Sequence, residues 1–123
     1  MTSFKFSRIE CYLRYVLYRF LGIFFRVDPW HCIGNWHCRT YKRVLVDLVN
    51  DLKIESAVEL GCGLGEIISK IDASYKYGID ISPQAIKMAR FIHGKDTKYI
   101  CGDFNSIPID KFDLFIAVNW MHD

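Results

Sequence analysis

The sequence predicts an α/β fold built on a parallel β-sheet. Three observations carry this reading. From residue 56 onward, short apolar runs alternate with helical patterns, and such alternation gives right-handed strand–helix–strand units. The first run leads into Gly61-Cys62-Gly63-Leu64-Gly65, with glycine at every second position. Asp80, Asp103 and Asn119 recur where successive strands end, the edge at which such sheets take their ligands.

The bulk numbers fit one small domain. The chain has 123 residues, 51% apolar and 24% charged, enough for a core and incompatible with a disordered tail. A net charge of +2 gives no case for a nucleic-acid partner. The charge is uneven, however. Residues 1–27 hold Lys5, Arg8, Arg14, Arg19 and Arg26 against Glu10 alone, together with 8 of the 19 aromatic residues. The chain therefore divides into an N-terminal helix and connector, 1–39, and an α/β part, 40–123.

The first element is a helix over 4–27. At about 100° per residue, Lys5, Arg8, Arg19 and Arg26 share one sector, and aromatic and aliphatic side chains cover most of the rest. Two readings fit. The helix packs on the domain with its arginine stems along the apolar surface, or it lies on an acidic membrane surface as an interfacial anchor. Arginine returns every five to seven residues, too often for a spanning helix of roughly 20 uncharged residues.

Asp28-Pro29 ends this helix. A connector to Arg39 follows. Its His31, Cys32, His37 and Cys38 are zinc-ligand types, but adjacent His-Cys pairs point apart, so no metal site is expected. Thr40 is placed as the cap of a helix from Tyr41 to Leu52, with Val44, Leu45, Leu48, Val49 and Leu52 at helical spacing. Ser56–Leu60 is the first strand. A helix is expected from Glu66 to about Ile71. Lys76–Asp80 is the second strand. Ser82-Pro83 reads as the cap and first residue of a helix to about His93. Lys98–Cys101 and Phe112–Val118 are the third and fourth strands. The five cysteines are odd in number and scattered. No disulfide framework is expected, and a reducing cytoplasm is the default setting.

The site chemistry starts at the glycine turn. Glycine is needed where a chain turns sharply and where a ligand must approach backbone. The spacing is Gly-x-Gly-x-Gly, and Glu59 and Glu66 flank it. Acids at the start of a helix oppose a pyrophosphate, so the turn suits a ligand with ammonium or sulfonium charge. Asp80 lies 19 residues after Gly61, where an acid accepts hydrogen bonds from both ribose hydroxyls.

Val58–Gly65, Tyr77–Ser82, Cys101–Phe104 and Phe112–Asn119 resemble the successive motifs of class I S-adenosylmethionine-dependent methyltransferases. The resemblance covers about residues 40–123. It implies a Rossmann-like sheet in the order 3-2-1-4, incomplete at about four of the family's seven strands, with the fourth left as an edge open to self-association or to completion by another chain. It implies S-adenosylmethionine as cofactor, held by Glu59, Gly61, Cys62, Gly63 and Gly65 at the methionine part. Asp80 and Ile81 would hold the ribose, Asp103 and Phe104 the adenine, and Asn119 would face the methyl group. His122 is the candidate general base, with Asn119 beside it. The Trp30-His31 and Cys38–Lys42 segments resemble members that modify small molecules or glycans, which sets the expected acceptor. The alternative is an inactive cofactor-binding partner subunit.

Overall fold

The computed structural model describes residues 8–32 and 39–118. In chain order it has α1 (Arg8–Phe25), α2 (Pro29–Cys32), α3 (Thr40–Asp51), β1 (Ser56–Leu60), β2 (Tyr75–Asp80), α4 (Pro83–His93), β3 (Lys98–Cys101) and β4 (Leu114–Ile116). Single 3₁₀ turns occupy Ile68–Lys70 and Ile109–Lys111.

The four strands form one parallel sheet in the order β3-β2-β1-β4, as the motif order implied. β1 is central. Its side chains alternate between faces, as strand geometry requires. Ala57 joins a core with Val46 and Val49 of α3, Ile86 and Ala89 of α4, and Ile68 and Ile71 of the first 3₁₀ turn. Val58 and Leu60 face the other way, with Ile79, Ile100 and Phe112. A third cluster fastens α1 and α2 to α4 through Tyr18, Val27, Cys32, Leu64 and Met88.

At the amino end of the sheet, Asp113 Oδ2 accepts from the amides of both Glu55 and Ser56 at 3.0 Å, while the Asp113 amide donates to Ser56 Oγ. This clasp aligns β4 on β1. Asn50 of α3 binds the backbone of Lys70 and Asp72, holding the helix to the turn beneath it. Ser82 caps α4 by accepting from the Ala85 amide, with Pro83 next in line, as its sequence required.

Four local expectations change. No α-helix follows the glycine turn. Residues 61–67 are turn and the helix is one 3₁₀ turn, because Ile67, Ile68 and Ile71 are all buried there and β-branched residues gain little from a helix so short. Thr40 is the first residue of α3 and not its cap. The cap is Arg39, without a side-chain bond, and the Thr40 hydroxyl accepts from Arg43. The buried stripe of α3 is Val46 and Val49, while Val44, Leu48 and Leu52 of the expected stripe face outward. The fourth strand is also shorter than expected, ending at Ile116.

No helix among the described residues is long and apolar enough to cross a membrane. Cys11 is disulfide-bonded, against the expectation of reduced cysteines, whereas Cys32, Cys62 and Cys101 are free thiols.

Candidate functional site

A cleft of about 930 Å³ lies over the carboxyl ends of β1, β2 and β3, within the size range of small-molecule sites. Its centre is the glycine turn. Gly61, Gly63 and Gly65 all have positive φ, at 67°, 54° and 74°, the left-handed region that side chains with a Cβ avoid. This winding points the Gly63 amide at Asp80, whose Oδ2 accepts it at 2.8 Å. Asp80 Oδ1 accepts from the Ser82 amide at 2.9 Å, and its backbone carbonyl accepts from Gly102 at 2.9 Å. One residue thus ties together the turn after β1, the start of α4 and the loop after β3.

Of the residues named from sequence, Glu59, Gly61, Cys62, Gly63, Asp80, Ile81, Asp103 and Phe104 line this cleft. Gly65 does not. A Cβ there would stand 2.5 Å from the Tyr99 ring, so this glycine makes room for a buried tyrosine. Asn119 and His122 lie outside the described residues.

Glu59 also has a part in the turn itself. Its Oε2 accepts from the Ile68 amide at 3.1 Å, closing the turn. Burial pushes its carboxyl up to about 8, against the lowering effect of that hydrogen bond and of Lys42. At neutral pH it is therefore mostly protonated and adds little negative charge. The exposed apolar Ile81 and Phe104 and the carboxylates of Asp80 and Asp103 supply the apolar and acceptor character instead. Burial likewise pushes the Cys62 thiol up, which keeps it neutral and removes it as a nucleophile.

The raised Glu59 value has a measurable consequence. Between the unfolded value near 4.5 and the folded value near 8, the folded state holds a proton that the unfolded chain has lost. Stability is full below the lower value and declines as pH rises through the upper one. Melting temperature should fall from pH 5 to pH 8.5, and Glu59→Gln should flatten that slope. His93, pushed by burial down to about 4, has the opposite sign: it removes stability as pH falls from 6.5 through 4. A profile in Glu59→Gln unchanged from the parent would show that Glu59 is ionised in the folded chain.

The cleft contains a pair that residue types alone do not join. The Nδ1 of His31 lies 2.7 Å from Asp28 Oδ2, and its amide donates to Asp28 Oδ1 at 3.3 Å. Burial raises the Asp28 carboxyl, but the hydrogen bond and charge of His31 outweigh this and hold it below its ordinary value. Both residues line the cleft, and the His31 ring lies over Gly63, 3.3 Å from where a Cβ would stand. The signal was present in the sequence: an Asp just before a helix-opening Pro, with a His three residues on, places both side chains on one side of the first turn. Arg39, Tyr41 and Lys42 complete this wall, and Lys42 Nζ lies 3.8 Å from Glu66 Oε2.

The comparisons with known proteins agree with this geometry. Residues 57–123 match the sequence profile of the methyltransferase domain. No curated protein matches the chain at a significant level. Among solved structures, an N-methyltransferase from Bradyrhizobium japonicum in complex with S-adenosyl-L-homocysteine is 23% identical, with a TM-score of 0.58 over 80% of this chain and 54% of that one. A magnesium protoporphyrin IX methyltransferase from Synechocystis, with the same molecule bound, is 21% identical, with a TM-score of 0.53 over 64% and 41%. An amino pentose methyltransferase from Micromonospora echinaspora, bound to S-adenosylmethionine, is 15% identical, with a TM-score of 0.55 over 85% and 44%. The chain spans about half the length of these structures. With more than half of its residues inside the profile and four strands in the order of the class I fold, the chain belongs to the methyltransferase domain family.

Proposed function

We propose that the cleft binds S-adenosylmethionine and that the chain serves methyl transfer from it to a small-molecule or glycan acceptor. The observation that carries this reading is the joint at Asp80. A carboxylate offers about four acceptor positions, and the amides of Gly63 and Ser82 use two. The remainder suffice for two ribose hydroxyls. The side-chain-free backbone of Gly61 and Gly63 admits a ligand at close range, and Ile81 and Phe104 supply apolar surface for a flat base.

When bound, this cofactor supplies a methyl group already activated by a positively charged sulfur. The chain's own residues then bind, orient and move a proton. Alignment by itself contributes on the order of 7–11 kcal/mol in well-oriented reactions. A carboxylate only accepts hydrogen bonds, so Asp28 fixes the His31 proton on Nδ1 and leaves the Nε2 lone pair of the neutral ring for an acceptor hydroxyl. His31 is thus a candidate base beside His122, which lies outside the described residues. Trp30, Arg39 and Tyr41 give the cleft an aromatic and cationic wall, which suits a ring-bearing or hydroxylated acceptor. The outer edge of β4 has no strand beside it among the described residues; we assign it to completion of the sheet by further polypeptide or by a second copy.

Titration calorimetry with S-adenosylmethionine, S-adenosylhomocysteine and NAD tests the cofactor. Binding of both adenosyl ligands at a Kd on the order of micromolar is expected, and tight NAD binding without either would overturn the proposal. Labelled methyl transfer to a panel of sugars and phenols tests the chemistry. His31→Ala should leave cofactor affinity within about threefold and lower turnover of a hydroxyl acceptor by roughly 10²–10⁴-fold. Cofactor binding with no transfer to any acceptor would favour a non-catalytic partner subunit.

A further inference from the structure

Helix α1 presents an apolar face away from the domain. Ile9, Tyr12, Leu13, Phe20, Ile23 and Phe24 are 60–77% exposed. At about 100° per residue they share one sector of the helix, opposite Tyr18 and Gly22, which are the helix's buried residues. The inner side is thus accounted for by Tyr18 with Val27, Cys32 and Met88, and the outer aromatics contribute nothing to the domain core. Phe91 of α4, 66% exposed, packs its ring 5.4 Å from Phe25 and extends the apolar surface beyond α1.

One border of this face is cationic. Arg8 and Arg19 fall along it, while Glu10, the lone acid in residues 1–27, stands on the opposite border and Arg14 lies on the side of Tyr18. α1 is about 27 Å long by its 18 residues, yet it does not qualify as a spanning helix. A convex apolar helix edged with arginine is the pattern of a helix lying in the plane of a bilayer surface.

We propose that α1 docks this face, in plane, on a membrane surface bearing acidic headgroups. The apolar side chains enter the boundary between headgroups and acyl chains, and Arg8 and Arg19 meet the phosphates. This proposal is independent of the cofactor reading.

The test uses the whole chain and co-sedimentation with two vesicle preparations, phosphatidylcholine alone and phosphatidylcholine mixed with phosphatidylglycerol. Binding to the acidic vesicles is expected, weaker by about tenfold or more on phosphatidylcholine alone or in high salt. Phe20→Ser with Phe24→Ser, and separately Arg8→Glu with Arg19→Glu, should each reduce sedimentation about tenfold, with helical circular dichroism unchanged because these side chains lie outside the buried clusters. The salt and lipid dependence of the parent chain stands even if a variant fails to fold. Absence of sedimentation, or sedimentation indifferent to acidic lipid and salt, overturns the proposal. A concentration-dependent dimer that Phe24→Ser abolishes, without vesicle binding, would assign the face to a second copy instead.

Discussion

Asp80→Ala is expected to weaken S-adenosylmethionine binding by roughly 1.5–3 kcal/mol, or about 10- to 150-fold, and to lower stability as well. The stability loss comes from within the chain. The amides of Gly63 and Ser82 each lose a charge-assisted partner at 2.8–2.9 Å, in a residue only 7% exposed. Leaving such donors unmet costs about 1–3 kcal/mol each where water cannot replace the carboxylate. The glycine turn then has nothing to hold its winding, so part of the affinity loss is loss of shape. Asp80→Asn separates the two effects, because its amide oxygen can still accept from one backbone N–H while the charge is gone. Calorimetry beside a urea melt reads both quantities. Alanine binding the cofactor like the parent would place the ribose site elsewhere.

Gly65→Val is expected to be more damaging to the fold, by about 4 kcal/mol or more. Two penalties combine. The φ of 74° is unfavourable for any residue with a Cβ and most so for a β-branched one. The new Cβ would also stand 2.5 Å from Tyr99 Cε1 and Oη, and Tyr99 is 3% exposed in the core shared with α3 and α4. The ring cannot move without opening that core. Gly94→Ala provides the contrast, since its φ is 72° but nothing lies within 4 Å of the added carbon. It should cost only the backbone strain, on the order of 1–2 kcal/mol. Denaturant midpoints measure both. Equal losses at the two positions would show that the tyrosine yields freely.

What could be read from the sequence was whatever depended on local pattern. Strand order followed from the family resemblance of four motifs in succession. The α4 start followed from Ser82-Pro83, because a cap is decided by two adjacent residues. What could not be read depended on neighbours distant in sequence. The packing of Tyr99 against Gly65 joins residues 34 apart, and the burial of Glu59 needs the whole fold around it. The helix after the turn was forfeited to the burial of Ile67, Ile68 and Ile71 in a cluster shared with α3, α4 and the sheet. His31 was legible as a ligand type, but its partner Asp28 was treated as a helix breaker, and the two roles were never joined. Asn119 and His122 fall outside the described residues, so their part in the site rests on resemblance.

The clasp made by Asp113 has a consequence for how the molecule opens. It joins residues 57 apart, and everything from β2 through β3 lies between its two halves. Once it closes, that span cannot loosen piecemeal without giving up the bonds at both ends of its loop. The α/β part should therefore exchange its amide hydrogens as one cooperative block, with Glu55 and Ser56 reporting the whole block and not their own exposed position. Helices α1 and α2 lie outside that span and are fastened through the Tyr18–Met88 cluster alone among the three core clusters. They form the lower-energy layer, free to peel and reseat while the sheet beneath stays shut.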